Sequence, residues 1–406
     1  MGVHHVGALA AALLLVAAPA RAEVADRPWP PAGGPGTLFA HFGEEHVNDA
    51  DGATILPKVV EEVARYRPAL VTTSGDKAND GEPDQLGAWQ AVMDAFDRAG
   101  VPYLAGVGNH DRNAPPGVPG GTIGLFGGTT PDSLDPYKSV FAGRPYPMGD
   151  APPYRRAPFA PLQRPADDPA GAAGTYAVDV GPARWIFLDN SCWSLTGCDP
   201  YQARADGSSG TQFDFLRAKA AEAQRDGRAA FVVMHMPTRD PRDQSYTDTT
   251  ARQHVMGKGA TTDNDTFERI AQETGVDGVF VGHIKGQFQY EGRGGVPYFI
   301  DGGAGGELYT TGPVGTDHGY WHGFRLLRAD GGRIRSTDVV PVFVPGSIRI
   351  EGPQRLAPGD AARFAAFGRQ PVFKDTAKVE ALELRDPDPI PKASGGAGAA
   401  VPPWAL

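Results

Sequence analysis

Short apolar runs alternate with amphipathic helical stretches across the first quarter of the chain. Residues 36–42 read as a strand. Residues 53–67 read as a helix, because Ile55, Leu56, Val59, Val60 and Val63 recur at helical spacing. Residues 69–73 form a second apolar run. Residues 84–99 form a second helix, with Leu86, Trp89, Val92, Met93 and Phe96 on one face, and 101–107 a third strand. Strand, helix, strand, helix, strand in this order forces parallel pairing, because each helix carries the chain back to the same sheet edge.

Composition narrows the class further. Of 406 residues, 41% are hydrophobic and 21% charged, which supports a core and excludes wholesale disorder. The 54 Gly and 38 Pro follow no three-residue period, which excludes a collagen-like chain. The formal charge of −10 opposes broad binding to a polyphosphate backbone, so no nucleic-acid partner is expected.

The first 22 residues read as an export signal. Residues 6–18 are almost unbroken Ala, Leu and Val, and Ala20-Arg21-Ala22 has the small-x-small form of a cleavage site. His4 and His5 stand where Lys or Arg is usual. A membrane anchor is the rival reading, but the run is shorter than the ~20 residues a span needs. The mature chain is therefore expected to be periplasmic or extracellular, without a membrane span. In that setting Cys192 and Cys198 read as a short-loop disulfide.

Residues 112–170 carry thirteen of the prolines and no clear period. Such a long irregular excursion is functional or disordered. Order resumes with a hairpin over 174–189, a helix over 212–225 and a strand over 229–234. A capping-box pattern, Asp265 with Glu268, predicts a helix from 265 to 274. Strands follow at 276–281, 296–300 and 320–327. Beyond about 340 the pattern becomes a small β module, to about 390, and then a Gly/Ala/Pro-rich tail over 391–406.

The chemistry-bearing residues sit just past the carboxyl ends of these strands, where open α/β sheets bind ligands. They are Asp76, Asn109-His110-Asp111, His235 and His283. Any one alone reads as an ordinary histidine or carboxylate. Together they match the donors that Mn, Zn or Fe prefer. One or two such ions can grip a phosphoryl oxygen and acidify a water. His110 is then placed in sequence to protonate a leaving group, with Asp111 to orient it. His318 and His322 flank Tyr320-Trp321 and read as packed histidines or cleft walls, and Arg155 and Arg156 as a solvated pair. Gly257-Lys258 lacks the rest of a P-loop, and no Gly-x-Ser-x-Gly elbow occurs.

In this pattern the chain resembles the calcineurin-like metallophosphoesterases. Gly75-Asp76, Gly108-Asn109-His110-Asp111, the lone His235 after an apolar strand and Gly282-His283 match that family's blocks in order, over roughly residues 36–330 of a domain expected to span 36–340. The small-residue run Gly302-Gly303-Ala304-Gly305-Gly306 also looks like family sequence. The resemblance implies an α/β fold, a four-layer α-β-β-α sandwich of two mixed sheets with the metal site at the strand ends. It implies that Asp76 bridges two metals, that Asn109, His235 and His283 complete the second site, and that His110 is the general acid. It implies hydrolysis of a small phosphate mono- or diester by metal-activated hydroxide.

Two departures touch the first metal site. No Asp-x-His follows the first strand. Glu44 and His46 are the preferred substitutes, with His41 and Gly43 the alternative alignment. Lys285 stands where the last block would carry its second His. A protonated lysine has no lone pair to offer. It could lose its proton and ligate, act as a charge in place of an ion, or mark a dead site. Gln287 could instead complete the site. A binding protein with reduced catalysis is thus the alternative to an enzyme. The purple acid phosphatases, relatives of the family, carry a Tyr three residues after the bridging Asp. Here that position is Asn79, which predicts Mn, Zn or Fe(II) and not a purple Fe(III) centre.

Overall fold

The computed structural model describes residues 35–112, 137, 140, 160–161, 174–196, 211–241, 254–256, 261–308, 322–342, 347–351, 365–370 and 382–383. The export signal, nearly all of the 112–170 excursion with Arg155 and Arg156, Cys198, Gly257-Lys258, His318 and the 391–406 tail lie outside the described residues. The cysteine pairing, which needs Cys198, therefore lies outside them too.

The predicted βαβαβ unit is present as β1 (Thr37–Phe42), α1 (Ala50–Tyr66), β2 (Leu70–Thr73), α2 (Pro83–Ala99) and β3 (Tyr103–Ala105). Helix α2 begins with Pro83, whose missing N–H is not needed there, and ends at Gly100 in the left-handed region. The chain continues through β4 (Ala160–Pro161), β5 (Tyr176–Val180), β6 (Ala183–Phe187), α3 (Gln212–Arg225), β7 (Ala229–Val233), α4 (Thr261–Glu273), β8 (Gly278–Val281), β9 (Gln287–Glu291) and β10 (Pro297–Asp301). The antiparallel pair β11 (Gly323–Asp330) and β12 (Arg333–Pro341) follows. The expected β-rich extension appears as β13 (Ser347–Glu351), β14 (Ala365–Gln370) and β15 (Leu382–Glu383), which form a separate three-stranded sheet.

One sheet has the order β12-β11-β1-β2-β3, with β1, β2 and β3 parallel and β11 antiparallel to β1. The second has the order β4-β5-β6-β7-β8-β10-β9, with a parallel centre of β6, β7, β8 and β10. Their inner faces meet through aromatic side chains. Phe39 of the first sheet packs edge-on to Trp185 of the second at 5.2 Å, and Trp185 contacts Phe231 and Phe280 at 4.9 and 5.3 Å. Burial of each such side chain stabilises by about 1.5–3 kcal/mol. Outside the first sheet, Phe42 meets Phe96 of α2, and Phe324 meets Tyr66 of α1. Outside the second, Phe213, Leu216, Phe267 and Ile270 of α3 and α4 cover Ile186, Val232 and Val279. The fold is the four-layer α-β-β-α sandwich of two mixed sheets.

Three local expectations are corrected. Helix α4 begins at Thr261, four residues before the predicted start. Glu268 makes no capping box but receives Arg239 Nε and Nη2 at 2.9 and 2.6 Å and Thr238 Oγ1 at 2.9 Å. Strands β9 and β12 were not anticipated, because both are edge strands with polar sequences, Gln-Phe-Gln-Tyr-Glu and Arg-Ile-Arg-Ser-Thr-Asp.

Candidate metal centre

The ligand loops begin where the strand pairing of the first sheet stops. The parallel register of β1 and β2 ends at Phe42 and Thr73, yet the two chains stay together. Glu44 N donates to Gly75 O at 3.1 Å, His46 N to Asp76 O at 2.9 Å and Val47 N to Lys77 O at 2.9 Å. This continued pairing sets Glu44 and His46 beside Asp76. Two glycines then let the third-strand loop close in. A Cβ on Gly75 would lie 2.2 Å from Gly108 N, and one on Gly108 would lie 2.1 Å from Asp76 N and Oδ1. The Gly302–Gly306 run lies against the same loop, with Ala304 N donating to Gly43 O and Gly306 N to Glu44 O.

The second sheet supplies His235 after β7 and His283 after β8. Asn190, just past β6, fixes the first of these: its Oδ1 accepts from His235 N and Met236 N, both at 3.0 Å, and its Nδ2 donates to Met236 O at 2.9 Å. Arg112 ties the third-strand loop to the second sheet through Asp189 Oδ2 at 2.9 Å and Ser191 Oγ at 2.5 Å.

The side chains converge. His235 Nε2 lies 2.8 Å from Asn109 Oδ1, 3.1 Å from His283 Nδ1 and 3.3 Å from Asp76 Oδ2. His283 Nδ1 lies 3.0 Å from Asn109 Oδ1. On the other side of Asp76, His46 Nε2 is 3.2 Å from Glu44 Oε2 and 3.7 Å from Asp76 Oδ2. Two donor triplets, Asp76-His235-His283 and Glu44-His46-Asp76, thus share the Asp76 carboxylate. All five are at most 6% exposed.

Lone pairs at such distances repel unless a positive charge lies among them. Without an ion, a proton takes that part. Burial alone would lower His235, but the carboxylates of Asp76 and Glu44 outweigh it and push the imidazole up to about 9. Burial opposes ionisation of Asp76 as well, yet His235, His110 and His46 hold it well below the usual carboxylate range. His283 is held well below its ordinary value by burial and by His235, so it stays neutral with a lone pair to offer. Its Nε2 is buried without a hydrogen-bond partner. One carboxylate, one amide oxygen and two imidazoles with this charge balance fit a divalent transition ion.

The backbone is held in an unfavourable state at these positions. Glu44, His46, Asp76 and His283 have φ of 60°, 39°, 62° and 64°, in the left-handed region that non-glycine residues seldom occupy. Such conformations cost of order 1–3 kcal/mol each and persist where surrounding structure imposes them.

Asn79, marked in the sequence only as the place without a Tyr, is an organiser of the site. Its Nδ2 donates to Asp49, which directs its Oδ1 to His46 Nδ1 at 2.6 Å, while its backbone carbonyl accepts from His110 Nδ1 at 2.7 Å. Both acceptors require Nδ1–H, so each Nε2 is the nitrogen left for chemistry. Burial and Lys285 lower His46 to about 3, which keeps it neutral. His110 is half-buried, its ring centroid 5.0 Å from that of His46, and its N–H donates to Asp76 Oδ1 at 2.8 Å.

Asp111 does not orient His110, contrary to expectation. Its oxygens accept from the backbone N–H groups of Asp76, Lys77 and Gly108 at 3.1, 2.7 and 2.8 Å, and from Lys77 Nζ at 3.0 Å. It is a buried staple for the two glycine loops. The His41 alternative also fails on placement. His41 lies between the sheets against Phe280, with Nδ1 2.8 Å from Thr72 Oγ1. Gln287 sends its Nε2 to Gly323 O, and His322 is buried with Nδ1 3.1 Å from Gly303 O. Two further side chains wall the second triplet: Trp193, edge-on to His283 at 4.9 Å, and His254, with its ring 5.6 Å away.

The family model described as calcineurin-like phosphoesterase matches residues 37–286. A comparison with curated proteins yields no significant match. Among solved structures, the purple acid phosphatase PPD1 from yellow lupin (Lupinus luteus) seeds is similar at 14% identity and a TM-score of 0.47, covering 76% of this chain. The chain spans 54% of the length of that lupin enzyme. The anchor GAP50 of the inner membrane complex of Plasmodium is similar at 16% identity and a TM-score of 0.45, covering 75% of this chain and 84% of that one. A dimetal phosphatase from Danio rerio is similar at 13% identity and a TM-score of 0.42, covering 76% and 99%. The family model spans more than half of the sequence and includes every candidate ligand of the centre, and on that ground the chain belongs to the calcineurin-like phosphoesterases.

Proposed function

We propose that this chain is an exported, metal-dependent phosphoric ester hydrolase acting on small phosphate mono- or diesters. The family is divalent-metal dependent. The observation that carries the reading is the convergence of Asn109, His283 and Asp76 on His235 Nε2, at 2.8, 3.1 and 3.3 Å, next to a half-buried His110. Those four residues would hold the ion. When bound, such an ion supplies charge for a phosphoryl oxygen and acidifies adjacent solvent.

The rest is done by the protein's own groups. Asp76 keeps one oxygen toward the donor cluster while the other takes the His110 N–H. Asn79 O holds the Nδ1–H of His110, so that a proton on Nε2 is the one available to a departing alkoxide. The buried surroundings keep these hydrogen bonds from competing with water. The purified chain is expected to hydrolyse p-nitrophenyl phosphate or its bis ester with Mn(II) or Zn(II), and to stop on chelation. Absence of turnover with every divalent ion tried would favour the binding-protein reading, for which Lys285 is the supporting feature.

Export is supported by the apolar run of residues 6–18 and the Ala20-Arg21-Ala22 site. Among the described residues no helix is long and apolar enough to cross a membrane. Mass measurement on the chain recovered outside the cytoplasm is expected to place its first residue at Glu23. A cytoplasmic chain that keeps Met1 would overturn this part.

A further inference from the structure

We propose that the Lys285 ammonium takes the place of an ion in the Glu44-His46-Asp76 half of the centre, so that the chain holds a single resident metal, at Asp76, Asn109, His235 and His283. The inference rests on the metal-dependent reading above and concerns only how many ions that centre takes.

The two halves of the centre are unequal. The second half has four donors from the protein, two of them imidazoles. The first has three, and Asp76 is shared. Glu44 is already partly used, since its Oε1 accepts the His283 N–H at 2.7 Å and leaves Oε2 for other work. The residue that would complete the set is Lys285, whose ammonium carries three donors and no lone pair. Gln287, the nearest alternative, directs its amide nitrogen to Gly323 O.

Lys285 is brought to this half by its loop. Gly286 and Gly302 exchange backbone hydrogen bonds at 3.1 and 2.9 Å, which docks the loop on the segment after β10. Gly302 is wedged between that loop and Glu44: a Cβ there would lie 2.1 Å from Ile284 O and 3.0 Å from Glu44 Cγ. The backbone entering Lys285 is thus separated from the Glu44 side chain by a single glycine. Lys285 itself is half-buried. Burial, with neighbouring carboxylates, raises Glu44 and Asp51 to about 7, and burial lowers His46 to about 3; the Lys285 charge opposes the rise at both carboxyls and adds to the lowering at His46.

The Lys285 ammonium supplies one positive charge against the two carboxylates of this half, Glu44 and the shared Asp76, while His46 stays neutral. A divalent ion with three ligands at the same place would face a like charge and lack a fourth donor. Lys285 can also meet a phosphate oxygen as a point charge, which is the electrostatic part an ion would otherwise play.

Metal analysis and electron paramagnetic resonance of the Mn(II)-loaded full chain test this without reference to turnover. The parent chain is expected to bind one Mn(II) with the hyperfine pattern of an isolated ion. Lys285→His, which restores an imidazole, is expected to bind two and to show an exchange-coupled pair. Two ions in the parent chain would overturn the proposal and, if hydrolysis persists, leave the phosphoesterase reading standing. A folded Lys285→His chain that stays at one ion would overturn it as well. The parent count decides by itself if that variant does not fold. No ion in either chain would remove both the proposal and the metal-dependent reading.

Discussion

Asp76→Asn is expected to empty the centre and to lower hydrolysis by ~10³-fold or more, since an ion contributes several kcal/mol of transition-state stabilisation. The substitution is chosen for what it preserves. Asp76 has φ +62°, a conformation that Asn tolerates better than most residues. The amide oxygen of Asn can still accept the His110 N–H that now reaches Oδ1 at 2.8 Å. What disappears is the negative charge shared by the two donor triplets. Metal content measured with turnover on the same sample, and circular dichroism to check the fold, form the experiment. An Asp76→Asn chain that keeps its metal and its rate would show that the carboxylate is a structural group only.

His110→Ala is expected to cost ~10²–10⁴-fold in rate, the range for loss of a positioned general acid. The size should depend on the ester. An alkyl alkoxide needs a proton to leave, whereas p-nitrophenolate leaves with little help, so the loss should be large for an alkyl phosphate and small for p-nitrophenyl phosphate. Metal content should not change, because His110 reaches Asp76 through its backbone N–H, which alanine retains. Equal losses with both esters would argue that His110 binds phosphate and does not protonate the leaving group.

Much of the fold was legible because it depends on strong local signals. The helical faces of Ile55-Leu56-Val59-Val60-Val63 and Leu86-Trp89-Met93-Phe96 bury as their spacing requires, and the apolar parallel strands appear near their predicted limits. The edge strands β9 and β12 escaped, because a strand with one side in solvent need not be apolar. Helix α4 starts early because Asp265 and Glu268, which look like a cap, lie inside it, with Glu268 paired to Arg239.

The candidate centre was legible where ligand types stand at strand ends, as with Asp76, Asn109, His235 and His283. Its supports were not. Asn79, Asn190 and Arg112 act through hydrogen bonds to distant loops, and nothing in the identity of an Asn or Arg announces such partners. Asp111 is visible as part of a motif, but the motif does not reveal its task. Adjacency in sequence suggested His110 as its partner, while the turn directs its oxygens to the backbone of residues 76, 77 and 108.

The left-handed backbone at positions 44, 46, 76 and 283 has a thermodynamic corollary. Isolated loops would relax out of that geometry, so affinity for the ion cannot reside in any peptide segment of the chain. Three of these positions follow strands of one sheet and the fourth follows a strand of the other, so the cage exists only while the two sheets are docked. Ion capture and global folding are then a single linked equilibrium: whatever free energy the ion gains on entering, the native state gains against denaturation, and a mutation that loosens the aromatic seam far from the cage weakens it too.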